Sequence, residues 1–197
     1  MQESNQFMKE PVGALPWPGP VFLVGMMGAG KTTIGRALAR ALDWEFVDLD
    51  HELEARCGVR VADIFDIEGE QGFRKRESAL LQECTQRSGI VLATGGGAVL
   101  SEQNRQALRS RGLVVYLRAN LDELYRRVSC DRNRPLLQTN NPRERLAQLV
   151  SEREGLYTQV AHVVFNTGTQ PVAHTTRQLI EKLNEFHSPD TAEHVSG

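Results

Sequence analysis

Five short strand-like runs punctuate the chain, and segments with an apolar residue every three or four positions fill the gaps between them. VFLVG (21–25) is continuously apolar and ends in glycine, as a strand covered on both faces should be. From Lys31 onward, Ile34, Ala37, Leu38, Ala41 and Leu42 share one helical face. Runs at 45–50 (EFVDLD), 90–94, 113–117 and 162–166 predict four more strands. Helical patterns occupy about 50–57, 70–87, 101–110, 120–129, 142–157 and 171–186. Strands alternating with helices in this way predict an α/β fold with a parallel sheet.

The ends read differently. LPWPGP at 15–20 sets three prolines within five residues, which suits an extended lead-in and not a helix. HSPDTAEHVSG at 187–197 is polar and without period. The expected organisation is a flexible N-terminal extension over 1–19, one domain over 20–187 and a disordered tail over 188–197.

Composition narrows the function classes. With 197 residues, 40% hydrophobic and 24% charged, the chain has the balance of a single globular domain. Its net charge, −2, offers no general electrostatic grip on nucleic acid or an anionic membrane, so neither is an expected partner. No apolar run approaches the ~20 residues of a membrane span, and MQESNQFMKE lacks the basic flank and apolar core of a signal peptide. Cys57, Cys84 and Cys130 are odd in number and widely spaced, which fits neither a disulfide framework nor a zinc site. A reducing, cytoplasmic setting is expected.

Gly25-Met-Met-Gly28-Ala29-Gly30-Lys31-Thr32 matches G-x-x-x-x-G-K-[ST] at every fixed position, between an apolar strand and a helix. Glycines let successive N–H groups curl toward phosphate oxygens, and the helix that follows aims its positive end at the same anion. Lys31 is placed to reach the β- and γ-phosphates and the Thr32 hydroxyl to ligate Mg²⁺. A nucleoside triphosphate is the predicted ligand.

Three further segments invite chemistry, each beside a plainer reading. Asp48 and Asp50 end the second predicted strand, where i and i+2 point the same way and both carboxylates can face the crevice beyond the sheet; alternatively Asp50 only caps the next helix. Thr94-Gly95-Gly96-Gly97 follows the third strand, and three glycines allow positive φ and a ligand pressed against the main chain, although a tight turn would also use one of them. Gly72-Phe73-Arg74-Lys75-Arg76-Glu77 opens a predicted helix whose guanidinium groups could hold a carboxylate bidentately or form only a solvated charge cluster. The histidines show no ligand spacing, and Met26 and Met27 read as space-filling residues.

Assembled in order, these segments resemble the shikimate kinases from about Phe22 to about Leu183. The resemblance rests on the phosphate loop, the D-x-D of Asp48 and Asp50, and the F-R-x-x-E of Phe73, Arg74 and Glu77. It extends through A-T-G-G-G at 93–97, R-P-L-L at 134–137 and E-R-x-x-L-Y at 152–157. It implies a P-loop fold with a five-stranded parallel sheet flanked by helices, a substrate-binding segment near 50–78 and a lid near 128–141. The implied reaction is transfer of the γ-phosphoryl group of ATP to the 3-hydroxyl of shikimate. Gly28, Ala29, Gly30, Lys31, Thr32 and Thr33 would then cradle ATP, with Arg134 closing over its phosphates and Gln170 on the adenine side. One Mg²⁺ would be held by Thr32 and, through water, Asp48. Asp50, Arg74, Gly95, Gly96, Gly97 and Arg153 would bind shikimate, with Lys31, Asp50 and Arg134 as the catalytic set. A monomer is implied. Gly155 stands where the family usually has proline, which is expected to loosen the end of its helix. The rival readings are another small-molecule P-loop kinase, such as a gluconate kinase, and a nucleotide-binding module without transfer activity.

Overall fold

The computed structural model describes residues 17–129 and 135–187. The expectations for most of the N-terminal extension, for the tail, and for Cys130 and Arg134 lie outside the described residues. Five strands form one sheet: β1 (Val21–Val24), β2 (Glu45–Asp48), β3 (Ile90–Ala93), β4 (Leu113–Arg118) and β5 (Val163–Asn166). All pairings are parallel, in the order β2-β3-β1-β4-β5. Every residue of β1 and β3 is buried, which is why both read as unbroken apolar runs.

Seven α-helices lie among the described residues: α1 (Lys31–Leu42), α2 (Leu49–Cys57), α3 (Val61–Cys84), α4 (Glu102–Arg111), α5 (Leu121–Val128), α6 (Pro142–Val160) and α7 (Val172–His187). The β1-to-β2 crossover runs one way across the sheet and the β3-to-β4 crossover runs the other. Right-handed crossovers therefore place α1 and α4 on opposite faces. The packing agrees, with α1 against α7 and α4 against both α3 and α6. Since β1 and β3 are neighbours whose connections diverge, a crevice opens at their carboxyl ends, where open α/β sheets bind ligands.

Four local expectations are corrected. Asp50 does not extend the second strand: β2 stops at Asp48, whose carboxylate accepts the Asp50 N–H at 3.2 Å and caps α2, so Asp50 lies in the first helical turn. The helix carrying Arg74 starts at Val61, not near 70, and breaks at Gly69 (φ 69°, ψ −179°), a conformation open essentially to glycine alone. Gly95, Gly96 and Gly97 are not among the glycines with positive φ, so a requirement for that conformation does not explain them. Gly155 does not loosen its helix, because α6 continues through it to Val160.

Gly155 has no positive φ, and a Cβ built on it meets nothing within 4 Å. Gly155→Ala is therefore expected to raise stability by about 0.5–1 kcal/mol through helix propensity, measurable as a higher urea midpoint.

His162 gives the sheet a pH dependence. Its backbone N–H donates to the Val114 carbonyl at 2.9 Å, and its Nδ1 accepts the Val114 N–H at 3.0 Å, closing the start of the β4–β5 pair. Only a ring without a proton on Nδ1 can accept this bond. Burial, assisted by the charge of Arg109, pushes the imidazole below its ordinary pKa. The unfolded chain thus binds more protons than the folded one once pH falls below about 6.5. The stabilisation is complete above that pH and declines as pH drops toward the folded value. The urea midpoint is expected to be lower at about pH 5.5 than at about pH 7.5, with a smaller difference in His162→Asn.

Candidate active site

The turn after β1 is shaped by Gly25 (φ 143°), Gly28 (φ 80°) and Gly30 (φ 98°), conformations that side chains with a Cβ strongly resist. Gly30 is the N-cap of α1, whose first N–H groups have no acceptor within the helix. Lys31 is only 9% exposed and folds back over the loop, its Nζ donating to the carbonyls of Gly25 at 2.7 Å and Met26 at 2.9 Å. The Thr32 hydroxyl donates to Asp48 Oδ2 at 2.7 Å. One carboxylate therefore ties the start of α1 to the start of α2, its second oxygen being the helix cap.

A cavity of about 390 Å³ lies over this loop, lined by Gly28, Lys31, Thr32, Thr33, Asp48 and Asp50 among others. Ala29 is fully buried beneath it. On one side it meets a cavity of about 280 Å³ that shares Gly30, Thr33 and Arg127 and includes Gln170. Arg127 Nη1 donates to the Gly28 carbonyl at 3.0 Å and Nη2 to the Gly168 carbonyl at 2.6 Å, bracing the phosphate loop against the loop after β5. Sequence reasoning missed Arg127. Its spacing from Glu123 is that of an ordinary i,i+4 helix pair and gives no hint of this reach.

On the other side lies a cavity of about 340 Å³ that shares Met27, Thr32, Asp48, Asp50 and Gly96 with the first. Val61, Phe65, Phe73 and Leu136 form its apolar wall. The rings of Phe65 and Phe73 meet at 4.6 Å across the Gly69 break. The sequence reading places Val61 and Phe65 only within the broad substrate-binding segment and Leu136 only within the lid; the break in α3 is what brings the Phe65 ring against that of Phe73.

The charged wall is built on the glycine segment. A Cβ on Gly95 would lie 2.3 Å from Glu77 Oε1, and one on Gly97 would lie 2.3 Å from Arg74 Nη2. The room left by Gly95 and Gly97 is thus taken up by the chain's own side chains, while all three glycines line the cavity. Arg74 Nη1 donates to Glu77 Oε2 at 2.8 Å, and Nη2 to Glu70 Oε1 at 3.1 Å. Burial pushes the Glu77 carboxyl above the usual range, while Arg74, and more weakly Arg153, oppose the shift. Arg153, 3% exposed, lines the same cavity, and its buried Nε and Nη1 have no hydrogen-bond partner. A site with two guanidinium groups, one holding unused buried donors, suits a carboxylate.

Among the described residues no three His, Cys, Asp or Glu side chains gather to hold a metal by themselves. The Thr32 hydroxyl and the Asp48 carboxylate are hard oxygen donors at the phosphate cavity. That donor set fits Mg²⁺, which binds few protein groups and keeps water and phosphate oxygens as its other ligands. The phosphate loop, the D-x-D, Arg74, the glycine segment and Arg153 are thus brought together, with Gln170 one cavity away. Arg134 lies outside the described residues.

A sequence model described as shikimate kinase matches residues 27–184. The shikimate kinase of Bordetella pertussis is 64% identical over 177 residues, which cover 90% of this chain and 84% of that one. That of Ralstonia nicotianae is 58% identical over 163 residues, 83% and 86% of the two chains. A solved structure of the Acinetobacter baumannii shikimate kinase in complex with shikimate superposes with a TM-score of 0.84 at 43% identity, covering 87% of this chain and 95% of that one. With the rival P-loop readings thereby set aside, the chain belongs to the shikimate kinase family and is an ATP-dependent shikimate 3-phosphotransferase.

Proposed function

We propose that the chain carries out this transfer by holding the ATP phosphates at Gly28–Thr33 and the shikimate carboxylate between Arg74 and Arg153. The observation that carries this division is Arg153, a buried guanidinium with two unpartnered donors, in a cavity that shares Asp50 and Gly96 with the phosphate cavity. An acceptor anchored by its carboxylate at the arginine end extends its hydroxyls toward Asp50 and the phosphate loop. Asp50 orients the attacking hydroxyl and accepts its proton, a modest task because a loose phosphoryl-transfer transition state asks little of a base. Lys31 supplies positive charge beside the transferred group once its ammonium turns from the loop carbonyls to the phosphates. Thr32 directly, and Asp48 through water, would hold Mg²⁺, whose charge offsets that of the β- and γ-phosphates when it is bound. Gln170 borders the adenine side.

The same reading takes the protein as a cytoplasmic monomer with one kinase domain, its acceptor-binding segment near 50–78. No helix among the described residues is long and apolar enough to cross a membrane. Cys57 and Cys84 are free, which suits a reducing compartment. Among the described residues the most exposed large apolar side chains, Ile67 and Phe186, sit apart on α3 and α7.

Lys31→Met is expected to lower kcat by at least ~100-fold, comparable to removing one preorganised donor, and to lower the melting temperature modestly, since the bonds to the Gly25 and Met26 carbonyls are lost. Activity within a few-fold of wild type would remove Lys31 from transfer. Arg74→Lys and Arg153→Lys should each raise the KM for shikimate and leave that for ATP nearly unchanged, since an ammonium lacks the bidentate fork. Because both arginines serve one carboxylate, the double variant should lose less than the two single losses combined. Strict additivity in steady-state kinetics would mean that they do not share the anion.

A further inference from the structure

Three consecutive glycines have more backbone freedom than any other tripeptide, so a wall built on them needs outside restraint. Two of its carbonyls are held locally: Gly95 O accepts the Ala98 N–H at 3.2 Å and Gly97 O the Leu100 N–H at 3.0 Å. The middle carbonyl is held from another element. Gly96 O accepts the hydroxyl of Tyr157, on α6, at 2.5 Å. Tyr157 is 1% exposed, and its ring stacks on Tyr116 of β4 with centroids 5.0 Å apart, which fixes the hydroxyl from behind. Burial raises the phenol's pKa, so it remains a donor at neutral pH.

Gly96 lines both the phosphate and the acceptor cavities. A Cβ there would lie 3.4 Å from Met27 N, 3.6 Å from Gly25 O and 3.8 Å from Tyr157 Oη. The Gly96 unit thus sits between the phosphate loop and the tyrosine. In a planar trans peptide the carbonyl and the following N–H point in opposite directions. Pinning Gly96 O therefore also sets the direction of the Gly97 N–H. We propose that Tyr157 is a positioning residue for the acceptor: its hydroxyl locks the Gly96–Gly97 peptide and so fixes the acceptor's floor relative to the phosphate loop. Tyr157 acts from behind this wall through the peptide, and Arg153 lies beside the same hydroxyl, its charge opposing the effect of burial on the phenol. The proposal rests on the placement of shikimate beside Gly96 and Arg153.

The test is steady-state kinetics of the full chain. Tyr157→Phe removes one neutral hydrogen bond and keeps the stacked ring, so the KM for shikimate should rise about three- to tenfold. The KM for ATP should stay within about twofold, because the phosphate loop keeps its own bonds. Tyr116→Leu, which keeps the hydroxyl but removes the stack that fixes it, should lower the melting temperature and raise the KM for shikimate less than Tyr157→Phe does. In the wild-type protein, shikimate added without nucleotide should shift the Gly96 and Gly97 amide resonances. An unshifted pair, or a Tyr157→Phe variant that alters both KM values equally or neither, overturns the proposal. Arg153→Lys run in parallel separates the two layers. If Arg153→Lys raises the shikimate KM and Tyr157→Phe does not, the positioning role alone fails. If neither does, the placement of the acceptor fails, and the role falls with it.

Discussion

Two neighbouring parallel strands whose outgoing connections must leave for opposite faces cannot close the gap between their ends. β1 and β3 are that pair, joined where the Thr94 N–H and hydroxyl both reach the Leu23 carbonyl at 3.1 Å. Everything functional in the chain is arranged around this gap. The turn after β1 becomes a phosphate loop because its N–H groups open into it, and the turn after β3 becomes the wall that faces that loop. Asp48, at the end of the next strand over, spans the gap's edge by accepting from Thr32 and capping α2 with one carboxylate.

The acceptor end follows a different logic, that of charge in a dry place. Glu77 is 1% exposed and would be costly to bury alone, so its cost is offset by Arg74 at 2.8 Å and by the nearby charge of Arg153. Arg74 is already paired with Glu77 and Glu70, so the guanidinium donors left over in the pocket are the Nε and Nη1 of Arg153. In the proposed placement an anionic acceptor would complete this arrangement, whereas a neutral sugar of the same size would offer the guanidinium only hydroxyl acceptors without charge.

Sequence alone reached the parts of this design that are written locally. The phosphate loop, α1 and the five strands could be read because glycine, Lys-Thr and apolar periodicity act over a few neighbouring residues. Asp50 was misplaced because helix capping by Asp48 overrode the strand period at the end of β2. No helix is predicted over 61–69, where Val61, Ile64, Phe65 and Ile67 precede a glycine that interrupts the helical period. The glycine segment allows positive φ, yet none of its glycines adopts it, and two are required by the bulk of Arg74 and Glu77, which only the packed fold brings there. Arg127 and the Tyr157 hydroxyl act on backbone carbonyls 99 and 61 residues away, and no local pattern encodes such a contact.

The adjacency of the two cavities at Gly96 has a pharmacological consequence. The phosphate cavity and the acceptor cavity share Met27, Thr32, Asp48, Asp50 and Gly96, so they meet directly along these residues. A compound that occupies both needs a tether only a few atoms long, and a short tether gives the second half a high effective concentration. Its phosphate-mimicking half would meet a loop built on a widespread motif and would discriminate poorly between enzymes. Selectivity would come from a carboxylate at the Arg74–Arg153 end, where an inhibitor lacking the anion leaves buried donors unpaired.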